Sequence, residues 1–221
     1  MLRHYDAYLF DLDGTLVDTA PDLGQALSAS LRDAGFPGVT TDQARQWIGF
    51  GARHSLTQAI EHHQLALTES ATDRLLKGFL NFYAAHVADE STPYDSVIDT
   101  LDVLYDAGAK LAVVTNKPSR FTAPLLSALS LDGYFESVIS GDTATQPKPA
   151  ADPILLCLDE LNVGIDQALM VGDSPADVGA AKAAGVDVAC FRHGYNHGMD
   201  VRAMEPNFVF DQLCEILPIS K

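Results

Sequence analysis

Two aspartates, Asp11 and Asp13, stand one residue apart in YLFDLDGTLVDTAPDL (residues 8–23), where an apolar run of strand length ends. Alternate residues of an extended chain point the same way, so the two carboxylates can converge on one site. Two like charges held together are costly unless a cation lies between them or one carboxyl keeps its proton. Either arrangement serves phosphoryl or glycosyl chemistry. A bare pair of this kind, followed here by Gly14, is more often a solvated turn, so its meaning depends on the rest of the chain.

Polar residues that could complete a site follow later apolar runs. Thr115 and Asn116 follow KLAVV, where a hydroxyl and backbone N–H groups could hold anionic oxygens. Asp173 follows ALMVG, and Asp177 comes four residues later, just inside a predicted helix. Lys148 lies between two prolines that fix the backbone, which would place its ammonium rigidly. Taken singly, these residues also fit a turn, a helix cap and a solvated lysine.

Short apolar runs alternate with helix-like segments from residue 97 onward. Nearly continuous apolar strands separated by helices are typical of parallel sheets that are covered on both faces. We therefore predict an α/β fold with a doubly wound (Rossmann-like) parallel sheet, whose chemistry lies outside the carboxyl ends of the strands. The predicted strands are AYLFDL (7–12), KLAVVT (110–115), SVIS (137–140), ALMVG (168–172) and DVACF (187–191).

The segment between Thr19 and Thr92 has a different pattern, with no convincing strand. Apolar residues recur there at helical spacing, as in the stripe of Leu23, Leu27 and Leu31. We predict a small all-helical cap that is inserted after the first strand and stands over the strand ends. The predicted boundaries are 1–16 and 93–221 for the α/β core and 17–92 for the cap.

The charge balance restricts the partners. With 14 basic and 30 acidic residues, the net charge is 14 − 30 = −16, which would repel nucleic acid and anionic membrane surfaces. A small anionic substrate would need a local positive group, such as a metal ion, a lysine or backbone N–H groups. The absence of a signal peptide pattern or a membrane-length apolar run predicts a cytoplasmic protein. Cys157, Cys190 and Cys214 lie far apart in apolar settings, which predicts buried free thiols.

The order D-x-D, T-N, K and G-D-x-x-x-D at the ends of successive predicted strands is a specific combination. On these motifs the chain is identified as a member of the haloacid dehalogenase superfamily of aspartyl-nucleophile phosphotransferases. The resemblance covers essentially the whole chain, including the helical insertion, which resembles the small helical cap of that superfamily. The stretches LVDTAPDL, VVTNKP, GDSPADVGAAKAAG and GYNHG are similar to those of the bacterial phosphoglycolate phosphatase group.

The resemblance implies a phosphomonoester hydrolase that acts on a small phosphorylated metabolite, 2-phosphoglycolate. Asp11 is then the nucleophile that forms an aspartyl-phosphate, and Asp13 is the general acid and base. Repulsion between a carboxylate and a phosphate dianion implies a Mg2+ ion, held by the side chains of Asp11 and Asp173 and by the backbone carbonyl of Asp13. Asp177 would lie outside the inner set of ligands. The residues implied in holding the phosphoryl oxygens are Gly14, Thr115, Asn116 and Lys148.

Two histidine-containing segments remain open. Arg53 and His54 lie in GFGARHSL in the cap, where they could contact substrate or simply begin a solvated helix. His193 and His197 have a spacing that would suit zinc on a helix, but the neighbouring glycines argue for a loop without a metal. The oligomeric expectation is a monomer or a homodimer.

Four other functions were weighed. A sugar-phosphate or pyrophosphate hydrolase of the same superfamily, or a phosphosugar mutase, would share the core residues and differ in the cap. A haloacid dehalogenase would lack Asp13, because a halide leaves without protonation. A catalytically silent phosphate-binding domain would have lost at least one of four residues that this chain keeps, namely Asp11, Asp13, Lys148 and Asp173.

Overall fold

The computed structural model describes residues 3–196 and 198–217, and its centre is a six-stranded sheet. The strands are β1 (Ala7–Phe10), β4 (Lys110–Val114), β5 (Ser137–Ile139), β6 (Ala168–Gly172), β7 (Asp187–Phe191) and β8 (Phe208–Phe210). Their order in the sheet is β5-β4-β1-β6-β7-β8, and every neighbouring pair is parallel.

Strand β1 shows why the sheet needs cover on both faces, since all four of its residues are buried. Tyr8 and Phe10 belong to one hydrophobic cluster, and Ala7 and Leu9 belong to another. The alternation follows from the two-residue period of a strand. Helices α5 (Val97–Asp106) and α6 (Ser119–Ala128) supply the first cluster, while α7 (Asp152–Leu161) and α8 (Pro175–Ala184) supply the second. The sheet is therefore wound on both faces.

A separate group of helices follows β1 in the chain. It comprises α1 (Ala20–Asp33), α2 (Thr41–Arg45), α3 (Ala52–His62) and α4 (Glu69–Ala85). These helices bury a cluster of their own, with Leu27, Leu31, Leu56, Phe79 and Tyr83 among its members. The chain enters and leaves this group through two short strands, β2 (Val17–Asp18) and β3 (Thr92–Pro93), which pair antiparallel.

The predicted fold class is confirmed, and each predicted core strand is present with ends shifted by at most two residues. Strand β8 was not predicted, because FVF is only three residues long and only partly buried at the sheet edge. Cys157 and Cys190 are buried free thiols as expected. The expectation of burial is wrong for Cys214, which is partly exposed because it lies in a short surface turn, Leu213–Ile216. Among the described residues, no helix has the length and apolar character needed to cross a membrane.

Candidate active site

The carboxyl ends of three neighbouring strands bring the predicted site residues together. Strand β1 lies between β4 and β6, so Asp11, Thr115 and Asp173 each follow the last residue of adjacent strands. Each of these three side chains is buried. Because the strands are parallel, residues that are more than a hundred positions apart in sequence meet at one edge of the sheet.

Lys148 is the central cation of this edge. Its Nζ donates hydrogen bonds to Oδ1 of Asp11 at 2.8 Å, to the carbonyl oxygen of Val114 at 2.7 Å and to Oδ1 of Asp177 at 2.5 Å. Burial by itself lowers the pKa of Lys148, but the carboxylates of Asp11 and Asp177 raise it more, so that the ammonium stays charged. A buried ammonium shared by two carboxylates offers a fixed positive charge at the point where an anion would arrive.

The side chain of Asn116 holds the backbone of Lys148. Its Oδ1 accepts from the Lys148 N–H at 2.9 Å, and its Nδ2 donates to the Lys148 carbonyl oxygen at 3.0 Å. The amide side chain therefore positions the lysine that the sequence singled out. A contact of Asn116 with a bound anion is left to its backbone N–H and to the second hydrogen of Nδ2.

Three carboxylates form an acidic cluster next to this lysine. One oxygen each of Asp11, Asp173 and Asp177 lie within 4.8 Å of one another. Burial, followed by the repulsion of Asp177 and Asp11, raises the pKa of Asp173 well above its usual range. Burial raises the pKa of Asp11 to about 6, although Lys148 partly offsets that effect. Such a group of hard oxygen donors, destabilised by its own charge, fits a hard divalent cation.

Asp173 is held by neighbours that leave little room around it. Its Oδ1 accepts from Oγ1 of Thr15 at 2.7 Å, and its Oδ2 accepts from the backbone N–H of Tyr195. A Cβ on Gly194 would lie 2.1 Å from Asp173 Cβ, and one on Gly14 would lie 2.5 Å from Asp173 Oδ2. Gly14 also has a φ of +92°, which side chains rarely adopt. The two glycines therefore make space for this carboxylate, which gives Gly14 a steric role in addition to any contact with an anion.

Asp177 accepts four of the described hydrogen bonds, more than either of the other two acids. Oδ1 pairs with Lys148, and Oδ2 accepts from the backbone N–H of Asp173 at 3.2 Å and from Oγ of Ser174 at 2.7 Å. It is fully buried at the start of α8. Its structural effect is to fix both the lysine and the loop that carries Asp173.

Asp13 is paired with a second buried cation, Lys117. The Lys117 Nζ lies 2.9 Å and 3.1 Å from the two carboxylate oxygens of Asp13, and Oγ1 of Thr19 donates to Asp13 at 2.7 Å. Burial by itself lowers the pKa of Lys117, but Asp13 and then Tyr83 raise it more. Sequence reasoning missed Lys117, although it directly follows the Thr115–Asn116 pair and was visible in VVTNKP.

A cleft of about 640 Å³, part of which is open to solvent, lies over these residues. Its floor includes Asp11, Asp13, Thr115, Lys117 and Lys148. The wall formed by the helical segment is largely apolar and consists of Leu23, Ile48, Gly49, Gly51, Ala52, Ser55, Phe79, Leu80 and Tyr83. An anionic substrate needs a local positive charge because the protein is acidic overall. Among the residues that line the cleft, Lys117 and Lys148 on the floor carry that charge.

The family assignment follows from comparison with known proteins. Residues 8–191 match the family of haloacid dehalogenase-like hydrolases. The chain belongs to this family.

Similar proteins agree with that assignment. Phosphoglycolate phosphatase 1 of Pseudomonas aeruginosa is 43% identical over 215 residues, which cover 95% of this chain and 78% of that protein. The phosphoglycolate phosphatase of Colwellia psychrerythraea is 39% identical over 219 residues, 98% of this chain and 97% of that protein. The crystal structure of a predicted phosphoglycolate phosphatase from Haemophilus somnus has a TM-score of 0.91 at 30% identity and matches over 98% of both chains. The resemblance inferred from the motifs is confirmed, and this haloacid dehalogenase-like hydrolase is a phosphoric monoester hydrolase.

Two residues that the sequence analysis considered, Arg53 and His193, do not line the cleft. The guanidinium of Arg53 pairs with Asp73 at 2.6 Å on the exposed surface, and Arg53 is not among the residues that line the cleft. Nδ1 of His193 lies 2.8 Å from the backbone carbonyl of Asp211, and its ring packs on Tyr94.

The other two histidines add no evidence for a metal site. The ring of His54 contacts Phe50 at 5.2 Å between centroids, and His54 does not line the cleft. His197 lies outside the described residues, so the pair of His193 and His197 is not tested.

Proposed function

We propose that this chain is a Mg2+-dependent phosphomonoester phosphatase that works through an aspartyl-phosphate and acts on 2-phosphoglycolate. The observation that carries the proposal is the position of Lys148, whose ammonium touches the carboxylate of Asp11 at the carboxyl edge of the sheet. A phosphate dianion drawn to that cation arrives beside the carboxylate that attacks it. The cation and the nucleophile are therefore held next to each other before the substrate binds.

Asp11 is the proposed nucleophile, and its free oxygen forms the new P–O bond while the ester bond breaks. The oxygen that contacts Lys148 is the one less available for attack, so the lysine also orients the carboxylate. The raised pKa of Asp11 describes the metal-free protein, in which burial disfavours the charge. The nucleophile must be ionised to react, so it needs a positive partner beyond Lys148.

Asp13 is the proposed acid and base. It protonates the leaving oxygen in the first half of the reaction and takes a proton from the hydrolytic water in the second. Its hydrogen bonds to Lys117 and Thr19 hold the carboxyl group in place beside Asp11. Asp11 shares the buried Lys148 with Asp177, whereas Asp13 is held by Lys117 and by the Thr19 hydroxyl. We assign the two aspartates different roles because of this difference.

Thr115, the backbone N–H groups of the turn after β4, and Lys148 are proposed to hold the equatorial phosphoryl oxygens. Charge on these oxygens is stabilised by donors that are already fixed, which is the main catalytic contribution in phosphoryl transfer. The side-chain amide of Asn116 supports this arrangement indirectly, because it fixes the backbone of Lys148.

The metal ion is proposed to bind the side chains of Asp11 and Asp173 and the backbone carbonyl of Asp13. When bound, Mg2+ offsets the repulsion between a carboxylate nucleophile and a phosphate dianion. Asp177 accepts four hydrogen bonds, one of them from the Lys148 ammonium, and this larger number supports a place for it outside the inner set of ligands. The helical segment at 17–92 is proposed to act as the cap that closes the cleft and keeps out bulk water.

The cap wall distinguishes a phosphatase from a mutase. A mutase needs a further acid or base on that side to handle a substrate hydroxyl. Among residues 3–196 and 198–217, the part of the cleft lining that comes from the helical segment contains no Asp, Glu or His. Its polar side chains are Ser55, whose hydroxyl donates to the Trp47 carbonyl oxygen, and Tyr83. We therefore favour simple hydrolysis over transfer within a sugar.

The test is phosphate release by the purified protein, with Mg2+ and with EDTA. The substrates are 2-phosphoglycolate, hexose and pentose phosphates, nucleoside monophosphates and pyrophosphate. We expect the highest kcat/KM for 2-phosphoglycolate, with loss of turnover in EDTA. Comparable rates for many esters would remove the substrate assignment but leave the mechanism.

The mechanism is tested by Asp11→Asn, which should remove turnover. It should also remove the acid-stable phosphoryl adduct that wild type is expected to form on the peptide containing residue 11. Thermal unfolding of the variant should stay cooperative. Asp166→Asn is the matched control, because Asp166 is exposed at the amino end of β6, on the opposite edge of the sheet. Unchanged turnover in Asp11→Asn would exclude the proposed nucleophile.

A further inference from the structure

Lys117 and Tyr83 are in direct contact, Lys117 on the turn after β4 and Tyr83 on helix α4. The Lys117 Nζ lies 4.7 Å from the centroid of the Tyr83 ring, and both residues line the cleft. Lys117 is 5% exposed and Tyr83 is 1% exposed. A cation and an aromatic hydroxyl are thus both buried at the boundary between the sheet and the helical segment.

Lys117 is the cation in the cleft that the phosphoryl group does not use. The lining contains two lysines, Lys117 and Lys148, and no arginine among the described residues. Lys148 contacts Asp11, the proposed nucleophile, and is the cation assigned to the phosphoryl group. The described hydrogen bonds of the Lys117 ammonium go to a single carboxylate, that of Asp13, while an ammonium has three N–H donors.

The hydroxyl of Tyr83 is buried and makes no hydrogen bond of ordinary geometry among the described residues, although the Lys117 ammonium is close enough to lower its pKa. Leaving such a group unpaired costs free energy, so it is rarely retained without a use. Burial raises the pKa of Tyr83 to about 12, so the hydroxyl keeps its proton at neutral pH. The ring is fixed by its contact with Phe121, at 5.1 Å between centroids.

These two donors lie on the leaving-group side of the proposed reaction. Asp13 must come within about 3 Å of the ester oxygen in order to protonate it. The Lys117 Nζ lies 2.9 Å from Asp13 Oδ1 and 4.7 Å from the centroid of the Tyr83 ring. If Asp13 protonates the ester oxygen, a charged group one carbon beyond that oxygen would therefore lie next to the contact between Lys117 and Tyr83.

We propose that Lys117 and Tyr83 together bind a carboxylate carried by the leaving group, and that they select short phosphate esters of hydroxy acids over neutral esters. This inference rests on the proposed phosphatase function. One ammonium and one neutral hydroxyl match a single negative charge spread over two oxygens. A second phosphate would bring a dianion to one cation that Asp13 already partly neutralises, and a neutral alcohol would offer that cation no charge.

The test compares two esters that differ at one position. 2-Phosphoglycolate carries the carboxylate, and 2-hydroxyethyl phosphate replaces it with a neutral hydroxymethyl group. The readout is the ratio of kcat/KM for the first ester to that for the second, measured for wild type, Lys117→Met and Tyr83→Phe. Tyr83→Phe keeps the ring and removes only the hydroxyl. We expect a high ratio in wild type that falls by roughly 10-fold or more in each variant.

The control variants remove a lysine ammonium and a tyrosine hydroxyl at positions that do not line the cleft. Lys182→Met removes an exposed ammonium that donates to the Met204 carbonyl oxygen, and Tyr134→Phe removes an exposed hydroxyl that donates to Asp102. Both should keep the wild-type ratio. Lys117→Arg should retain part of it, because the positive charge remains. Free glycolate should also inhibit wild type more strongly than it inhibits Lys117→Met.

The outcomes separate this inference from the function on which it rests. If Lys117→Met and Tyr83→Phe slow both esters equally, the two residues act through Asp13 or through packing, and the inference is wrong. If wild type hydrolyses both esters equally well, the phosphatase function stands and the carboxylate site does not. If wild type releases phosphate from neither ester, both proposals fail.

Discussion

Tyr195 donates its backbone N–H to the carboxylate of Asp173, and the same residue reaches the start of helix α1 with its side chain. Its hydroxyl accepts from the N–H groups of Thr19 at 2.8 Å and Ala20 at 2.9 Å, and donates to Asp18 at 2.7 Å. One residue therefore connects the acidic cluster to the point where the chain enters the helical segment.

Tyr195→Phe should destabilise the protein by about 1–3 kcal/mol, because two buried N–H groups lose their acceptor while the ring stays in place. Urea unfolding measures the change. Tyr134→Phe is the control, since its exposed hydroxyl donates to Asp102 at 2.6 Å and should contribute little. Equal stability of the two variants would contradict the assigned role of the Tyr195 hydroxyl.

Gly194→Ala should weaken Mg2+ binding. The new Cβ would lie 2.3 Å from Oδ2 of Asp173, so this carboxylate has to move. We expect the Mg2+ concentration for half-maximal activity to rise by roughly 10-fold or more, as when a ligand loses its support. Gly133→Ala is the matched control, because no atom lies within 4 Å of the added Cβ. An unchanged Mg2+ requirement in Gly194→Ala would show that the position of Asp173 does not matter for the metal.

Removal of the metal should have a pH-dependent effect on stability. The folded-state pKa of Asp11 is raised from 3.8 to about 6, chiefly by burial, and that of Asp173 is also raised. A raised carboxyl pKa means that the folded state holds the proton more tightly, so this stabilisation is lost as pH rises from about 4 to 6. Mg2+ bound as proposed would replace those protons.

The increase in melting temperature on adding Mg2+ to EDTA-treated protein should therefore be larger at about pH 7.5 than at about pH 5. Thermal unfolding at matched ionic strength measures it, with KCl in place of MgCl2 as the control. An increase of the same size at both pH values would argue against metal binding at these carboxylates.

Asp22→Ala should destabilise the protein by about 2–3 kcal/mol, because hydrogen bonds to a buried charge are lost together. Asp22 accepts from the N–H of Ser91 at 2.8 Å, from its hydroxyl at 2.6 Å and from the N–H of Glu90 at 3.0 Å. Chemical denaturation measures the effect, and Asp33→Ala, at an exposed position of the same helix, is the control. A loss below about 0.5 kcal/mol would mean that water replaces Asp22 at those donors.

The sequence predicted the sheet and much of the site because both depend on local patterns. Apolar runs such as ALMVG have one favourable environment, the middle of a covered parallel sheet, and the polar residue after each run falls at one edge. The position of Asp173 next to Asp11 follows from the strand order, which places β6 beside β1 and which the sequence patterns did not predict.

The residues that sequence reasoning missed depend on contacts between distant positions. Lys117 pairs with Asp13 across 104 residues, and a lysine after a turn is indistinguishable in sequence from a solvated one. From the sequence, Arg53 was a candidate for binding an anion, but in the structure its guanidinium pairs with Asp73. The side chain of Asn116 turns toward the Lys148 backbone, which no spacing rule predicts.

The pairing of β2 with β3 changes how the helical segment is attached. Val17 lies opposite Pro93, and Asp18 lies opposite Thr92. Two unpaired connections would let the helical segment rotate and shift in several directions relative to the sheet. Two hydrogen-bonded strands bend mainly about one axis. Lengthening one connection alone would shift the ladder out of register, while equal insertions on both sides would preserve it. The two connections, although more than seventy residues apart in the chain, thus behave as one mechanical part.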